Sequence, residues 1–150
     1  MIQGRFVSEI KEINIVEDIF NKTGVYLGKK EILLCQSNYI RALVYEGMEK
    51  QFPAAAGSMI LAEDEARIMA VAVLSEYRGK SYGEFLIRML IDKAKTSGIQ
   101  KITLSCEERM ADYFQKYGFR PAGINCAFDE KVCINMIYAA IDGQCCSKSI

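Results

Sequence analysis

The stretch with the clearest chemical potential is EYRGKSYGEFLIRML, residues 76–90, in which a small, cationic loop leads into an apolar-periodic segment. The start of a helix leaves several backbone N–H groups without partners, and the peptide dipoles add roughly half a positive charge there. Gly79 and Gly83 would let the chain bend and let an anion approach closely, and Arg78 and Lys80 would add positive charge. The loop could therefore bind a phosphate, although an ordinary strand-to-helix connection could have the same composition.

The familiar nucleotide motifs do not fit this loop. Gly79-Lys80-Ser81 resembles the end of a P-loop, but that motif requires a glycine five residues before Gly79, where Leu74 stands. The dinucleotide fingerprint G-x-G-x-x-G is absent as well. A phosphate-binding role would have to rest on the backbone and not on either of these motifs.

Composition restricts the class of protein. The 150 residues suit one domain, 1–150, and 19 basic residues balance 19 acidic ones, so that no overall field favours nucleic acid or an anionic membrane. The first residues lack the apolar core of a signal peptide, and no run approaches about eighteen apolar residues. We therefore expect a cytoplasmic protein that binds neither nucleic acid nor membrane.

The residues that usually build metal sites and nucleophilic triads are scarce. The chain has no histidine and six cysteines, none of them in a C-x-x-C pair, so no metal site is expected. Cys106 falls on the apolar side of a predicted strand, where a thiol is generally inert, and we do not predict it as a nucleophile. Cys145 and Cys146 lie in the tail 143–150, which is predicted to be a frayed terminus.

Hydrophobic periodicity predicts the order β-α-β-β-β-α-β-α-β-β, a mixed central sheet with helices on both faces in the α/β class. The run RIMAVAVL is apolar throughout, which favours a strand buried on both faces at the centre of the sheet. Gly24, Gly98 and Gly118 stand where the three helices are predicted to end. The phosphate-loop candidate thus connects the central strand to the second helix.

With these elements in place, VAVLSEYRGKSYGEFLIRML resembles the acyl-CoA loop of the GNAT superfamily of acetyl-CoA-dependent N-acetyltransferases. Arg78, Ser81 and Gly83 fall on the fixed positions of its pattern, Arg or Gln, two residues, Gly, one residue, Gly or Ala. The segment EERMADYFQKYGFRPAG is similar to the second block of the family, an aromatic-rich helix followed by Gly118-Phe119. The predicted element order agrees with the family fold from about residue 5 to residue 140.

The resemblance implies acetyl-CoA as co-substrate and no metal. The central strand would offer its backbone to the pantetheine arm, and the backbone from Gly79 to Glu84 would hold the pyrophosphate. The thioester would lie where the strands at 66–74 and 101–106 splay apart. The implied cofactor-binding residues are Val71, Ala72, Val73, Arg78, Gly79, Lys80, Ser81, Tyr82, Gly83 and Glu84.

The cofactor side of the chain departs from the family pattern at three positions. Ser81 replaces the middle glycine, and we expect it in the first helical turn, where serine is harmless; a positive φ there would instead cost about 1 kcal/mol. Phe114 stands where the family often has a tyrosine that protonates the departing thiolate. Glu107 replaces a frequent CoA-contacting asparagine and is predicted to complement a helix dipole instead.

Proton transfer has only weak candidates in this sequence. An amine with a pKa of about 10.4 is protonated at neutral pH and must lose a proton before it attacks. Arg67 occupies the position of the family's frequent glutamate base and cannot accept one. Glu65, in an acidic turn with Glu63 and Asp64, is the candidate base, although a solvated turn explains it equally. Tyr117 is the candidate acid, although it could simply be a core aromatic, as could Tyr113.

The resemblance implies an N-acetyltransferase that moves an acetyl group from acetyl-CoA directly to a primary amine in a ternary complex. The amine would belong to a small molecule or a peptide, and a homodimer would be compatible with the fold. Phe114 and Arg67 favour an alternative, an acyl-CoA-binding sensor or scaffold that turns over slowly or not at all. A structural domain that binds no CoA is a third alternative.

Overall fold

A computed structural model describes residues 2–25, 39–124 and 133–138. Its helices are α1 (Ile10–Thr23), α2 (Tyr82–Thr96) and α3 (Ala111–Gln115). Its strands are β1 (Ile2–Val7), β2 (Tyr39–Glu46), β3 (Phe52–Leu61), β4 (Glu65–Val73), β5 (Lys101–Glu107), β6 (Phe119–Ile124) and β7 (Cys133–Tyr138). These described elements follow the predicted order; the predicted frayed tail 143–150 lies outside the described residues.

The strands form one sheet in the order β1-β2-β3-β4-β5-β7-β6. Each neighbouring pair is antiparallel except β4 and β5, which run parallel. A parallel pair requires a crossover connection, and α2 supplies it between β4 and β5. The predicted mixed sheet is therefore confirmed, with β4 in its middle.

Helices cover both faces of this sheet. On one face, α2 buries Leu86, Ile87 and Leu90 against a core that includes Ile68 and Leu104. On the other face, α1 buries a second cluster, made by Val16, Ile19 and Phe20 against Leu43, Tyr45, Ala56, Ala70 and Ala72. We call these two surfaces the α2 side and the α1 side. Among the described residues, no helix is long and apolar enough to cross a lipid bilayer.

A bulge in β4 changes which side its residues face. Ser58 of β3 is opposite Ala70, but the next residue, Met59, is opposite Ile68, so that Met69 is left over. As a result Ile68 packs on the α2 side, whereas Ala70, two residues later, packs on the α1 side. The bulge explains why Ile68 and Ala70, which regular alternation would place on the same side, belong to different cores.

The parallel strands β4 and β5 pair over only part of their length. Their register runs from Glu65 opposite Lys101 to Ile68 opposite Leu104. On their other edges, β5 is paired with β7 from Thr103 to Glu107, and β4 is paired with β3 from Ala66 to Val73. The predicted splay between the two strands is therefore confirmed. In the described sheet, it leaves one backbone edge of β4 without a partner strand at residues 69–73.

Candidate functional site: a cavity between the diverging strands

A cavity of about 720 Å³ occupies the splay between β4 and β5. The cavity reaches both faces of the sheet, because it is lined by residues of the α2 side together with Thr23 and Val25 from the end of α1. All of the predicted cofactor-binding residues except Lys80 line this cavity: Val71, Ala72, Val73, Arg78, Gly79, Ser81, Tyr82, Gly83 and Glu84. The central strand, the loop and the start of α2 therefore meet at one cavity.

The loop presents a row of backbone donors to the cavity. Within the described part of the chain, the N–H groups of residues 79–84 make no hydrogen bond to a protein acceptor. The first amide of α2 that does so is Phe85, which donates to the carbonyl of Ser81 at 3.1 Å. The loop is held from the strand side, where Arg78 Nε donates to the carbonyl oxygen of Val73 at 3.1 Å. This arrangement suits a bound anion.

Ser81 contradicts the expectation that it would lie in the first helical turn. It is the N-cap of α2 with φ 66° and ψ 21°, in the left-handed region, and it alone among the described non-glycine residues has a positive φ. Its hydroxyl makes no capping hydrogen bond. The left-handed backbone therefore costs roughly 1–2 kcal/mol without a visible local compensation. The turn that brings the amides together requires this conformation, whichever residue occupies it.

Gly83 is required by a close approach. A Cβ built on Gly83 would lie 2.7 Å from the hydroxyl oxygen of Tyr113, well inside an ordinary contact. Burial, and then the neighbouring Tyr117, raise the pKa of Tyr113 to about 12. Tyr113 is therefore a neutral phenol at physiological pH, and it lines the cavity next to the loop. From the sequence, this residue could be either a core aromatic or a displaced acid.

A carboxylate outside the cavity clamps the loop. The hydroxyl of Tyr82 donates to Glu46 at the end of β2, and Lys80 Nζ lies 3.3 Å from the same carboxylate oxygen. The hydrogen bond from Tyr82, and then Lys80, lower the pKa of Glu46, and Glu46 in turn raises the pKa of Tyr82 to about 12. Lys80 thus binds Glu46 and does not line the cavity. No local sequence signal identified Glu46, because the contact joins residues 36 positions apart.

One wall of the cavity is aromatic. Tyr113 lies edge-on to both Phe114 and Tyr117, with ring centroids 5.2 Å apart in each pair. All three line the cavity. The structure therefore brings Tyr117, the predicted acid, to the cavity, together with a second phenol beside it and the phenylalanine that stands in the family's tyrosine position.

Glu65, the predicted base, lies elsewhere. It begins β4 and does not line the cavity. Its Oε2 accepts a hydrogen bond from Thr103 Oγ1 at 2.5 Å, and its Oε1 lies 3.8 Å from Lys101 Nζ. Glu63 and Asp64 are exposed in the turn before it. The two predicted catalytic residues are therefore not brought together, and a catalytic role for either one stays a prediction.

Two further residues considered in the sequence analysis, Glu107 and Cys106, do not line the cavity. Glu107 is the N-cap of the short turn before α3, and its carboxylate lies 2.9 Å from Arg109 Nε. Cys106 packs against the α2-side core with its sulfur 3.6 Å from that of Met136, and it does not line the cavity. Within the described ranges, no group of three or more His, Cys, Asp or Glu side chains could hold a metal ion.

Comparisons with known proteins agree with this architecture. The profile of the Acetyltransferase (GNAT) family matches residues 31–119, more than half of the chain. A Bacillus subtilis (strain 168) protein, provisionally named a ribosomal protein bS18 alanine N-acetyltransferase, is 33% identical over 66 residues. That match covers 41% of this chain and 42% of the relative, so less than half of the curated relative's length is represented.

Solved structures share the fold at low identity. The ribosomal-protein-S18-alanine N-acetyltransferase of Escherichia coli superposes with a TM-score of 0.72 at 20% identity, covering 90% of this chain and 92% of its own. A GNAT family acetyltransferase from Elizabethkingia anophelis, solved with acetyl-CoA bound, gives 0.68 at 17% identity, covering 91% and 94%. At these identities the likeness concerns the fold.

Proposed function

The chain belongs to the GNAT acetyltransferase family, and on this premise we propose that it transfers an acetyl group from acetyl-CoA to a primary amine of a small molecule or a peptide. The transfer would be direct, with both substrates bound together. The observation that carries the proposal is the row of unbonded backbone amides at residues 79–84, which faces a cavity in the splay between β4 and β5.

The residues at the cavity fit acetyl-CoA, the group that they would hold. The amides of residues 79–84, at the positive end of α2, suit a pyrophosphate, and Gly83 leaves room that a side chain would fill. The unpaired edge of β4 at residues 69–73 suits the amides of a pantetheine arm, which would pair with it as an added strand. Bound acetyl-CoA would supply the acetyl group as a thioester, whose thiol has a reference pKa of about 8.5.

The residues of the chain would mainly position the two substrates and hold a proton for transfer. They would not supply a strong base. Arg67 cannot accept a proton, and the oxygens of Glu65 are engaged by Thr103 and Lys101. We therefore expect the amine to lose its proton to water. At the aromatic wall, Tyr117, with Tyr113 beside it, would hold a phenolic proton facing the cavity. Such general acid help is typically worth about 10²–10⁴-fold.

A second function has specific support. Phe114 stands at the usual position of the acid and Arg67 at the usual position of the base, which favours a domain that binds acyl-CoA and turns it over slowly. The two functions share the cofactor site and differ only in the rate of CoA release with an amine acceptor. A release assay with a panel of amines, read by chromatography because the protein has six cysteines, separates them.

Thermal unfolding tests the shared cofactor site. Acetyl-CoA at about 100 times its Kd should stabilise the protein by about 2.7 kcal/mol, which raises the Tm of a chain of this size by roughly 5–10 °C. In Gly83→Asp the new side chain would crowd Tyr113 and place a negative charge beside the amides. That variant should lose the Tm increase.

Ala122→Asp is the matched control, because Ala122 is exposed on β6 and the substitution changes the net charge equally. The control should keep the full Tm increase. A Gly83→Asp protein that folds and still gains the full stabilisation would refute the loop as the cofactor site.

A further inference from the structure

Two arginines on the α1 side of the sheet, Arg41 and Arg67, have no acidic partner among the residues that the structure describes. Arg41 is only 9% exposed, and its buried Nε has no hydrogen-bond partner in the described part of the chain. Arg67 donates from Nη2 to the hydroxyl of Ser105 at 2.5 Å, and Ser105 donates in turn to Asn135 Oδ1 at 2.7 Å. Within the described residues, no carboxylate lies within 4.0 Å of either guanidinium.

Strand alternation and register bring these arginines to one region. Arg41 is two residues before Leu43, which packs under α1, and Arg67 lies between Ala66 and Ile68, which both pack on the α2 side. Both arginines therefore face the α1 side.

Tyr39 and Arg67 are both paired with Ile60 of β3, so they lie two strands apart, about 10 Å. The guanidinium carbon of Arg41 is 4.3 Å from the centre of the Tyr39 ring, in the same row as Arg67. The two arginines thus lie on the same face of the sheet, on strands separated by β3 alone.

A cationic region of this kind lowers the stability of the folded protein when no anion neutralises it. Removing an ion from water costs several kcal/mol, and a neutral hydroxyl or amide returns only part of that energy. Ser105 accepts from one N–H of Arg67, and Asn135 accepts from the Ser105 hydroxyl and so orients it, which leaves other donors of the planar guanidinium for a ligand. The buried hydroxyl of Ser58, opposite Arg41 in the register, also has no hydrogen-bond partner within residues 2–25, 39–124 and 133–138.

We propose that the acceptor amine carries a carboxylate, which Arg67, with Arg41 beside it, binds on the α1 side of the sheet. This inference rests on the proposed acetyl transfer. Planar guanidinium groups recognise carboxylates in a two-pronged geometry that lysine cannot reproduce. The arginine at the position of the family's usual base would therefore be a specificity residue that orients the acceptor.

Arg67 does not line the cavity, but it lies close to the point where the splay begins. Arg67 is paired with Thr103, one step before Ile68 and Leu104, where the pairing of β4 with β5 ends. The cavity that fills the splay extends to the α1 side at Thr23 and Val25. An acceptor held by Arg67 would thus lie beside the apex of the splay, where the expected thioester lies.

Matched acceptors test the proposal. Amino acids and their carboxamides, and amidated dipeptides with Glu or Gln in second place, differ only in one carboxylate and distinguish an α-carboxylate from a side-chain carboxylate. The measured quantity is the ratio of kcat/KM for a carboxylate acceptor to kcat/KM for the matched amide. In Arg67→Met this ratio should fall by about 30-fold or more, in whichever of the two series the enzyme accepts. Taking the ratio between the two enzymes cancels the different amine pKa values within each pair.

Arg120→Met is the control, because Arg120 is exposed on β6 and the same charge is removed; its ratio should equal that of the unchanged protein. Arg67→Lys keeps the charge but loses the planar fork, and it should recover only part of the preference. Equal loss for carboxylates and carboxamides in Arg67→Met would overturn the proposal, as would an unchanged preference.

Product binding supplies a readout that needs no turnover. Titration calorimetry of the CoA-loaded protein should detect N-acetylalanine more strongly than N-acetylalaninamide, or the N-acetylated Glu peptide more strongly than its Gln counterpart. Arg67→Met should abolish the difference while it keeps the acetyl-CoA Tm increase. If acetyl-CoA did not raise the Tm of the unchanged protein, the proposed function itself would be refuted. If acetyl-CoA raised the Tm but the protein showed no carboxylate preference, only this inference would be refuted.

Discussion

The contact between Gly83 and Tyr113 can be tested without any ligand. The perturbation is Gly83→Ala, made in the unchanged protein and in Tyr113→Phe. An added Cβ would lie 2.7 Å from the Tyr113 hydroxyl oxygen, which is 0.7 Å closer than an ordinary contact of 3.4 Å. Because that oxygen belongs to a rigid ring packed edge-on against Tyr117, it cannot yield without moving the ring.

Two opposing terms set the magnitude. Overpacking of this kind typically costs about 1–3 kcal/mol, whereas replacing a helical glycine by alanine gains at most about 1 kcal/mol. Gly83→Ala should therefore lower the free energy of unfolding by about 0–2 kcal/mol. In Tyr113→Phe the hydroxyl is gone, and the nearest remaining atom is Val73 Cγ2 at 3.6 Å, an ordinary contact. There the alanine should be neutral or stabilising by up to about 1 kcal/mol.

Urea denaturation of the four proteins measures the coupling between the two sites, and the cost of removing the Tyr113 hydroxyl by itself cancels in the cycle. We expect a coupling of about 1–3 kcal/mol. A value below about 0.5 kcal/mol, the level at which independent sites add, would refute the claim that this glycine is required by the phenol.

Two further outcomes concern the loop and its clamp. Ser81→Gly should raise the free energy of unfolding by about 0.5–1 kcal/mol in the same urea assay, since relief of about 1–2 kcal/mol of strain exceeds the entropy that glycine adds to the unfolded chain. Ser81→Ala, which keeps the positive φ and loses only a hydroxyl without a capping bond, should change nothing; a loss as large as that of a helix cap would contradict this reasoning. The hydrogen bond from Tyr82, and then Lys80, lower the pKa of Glu46 below 4.5, so its contribution to stability is complete above about pH 4.5 and disappears as pH falls through its lower folded value. Thermal melts between about pH 3 and pH 7 should show a flatter acid limb for Glu46→Gln, and an unchanged limb would show that the clamp contributes no pH dependence.

The parts of the site that depend on local chain direction could be predicted from sequence. A helix start with its N–H groups exposed follows from Gly79 and Gly83 placed between an apolar strand and an apolar-periodic helix. The burial of the central strand on both faces follows from RIMAVAVL in the same way. These features require only neighbours along the chain, and therefore the loop and the strand beneath it agree with the prediction.

The parts of the site that depend on contacts across the sheet could not be predicted from the sequence. Glu46 reaches Tyr82 from another strand, and Arg67 finds Ser105 and Asn135 through the pairing of β4, β5 and β7. Nor could the sequence locate the bulge at Met69, because the residues from Ile68 to Val73 are all apolar and fit a strand with or without an extra residue. The φ of Ser81 was mispredicted because a serine normally avoids the left-handed region that this turn requires.

The bulge ties the two halves of the site together. Before Met69, alternation places Arg67 on the α1 side; after it, Ala70 and Ala72 face that same side although they have the opposite sequence parity. If the strand alternated regularly through Met69 with no bulge, the parity of Arg67 would place Val71 and Val73 under α1 and would turn Ala70 and Ala72 toward α2. The small alanines instead allow α1 to pack closely, and the valines contribute to the α2-side core and the cavity wall. One additional residue therefore lets a single strand present a cation on the α1 side and valines to the cavity wall.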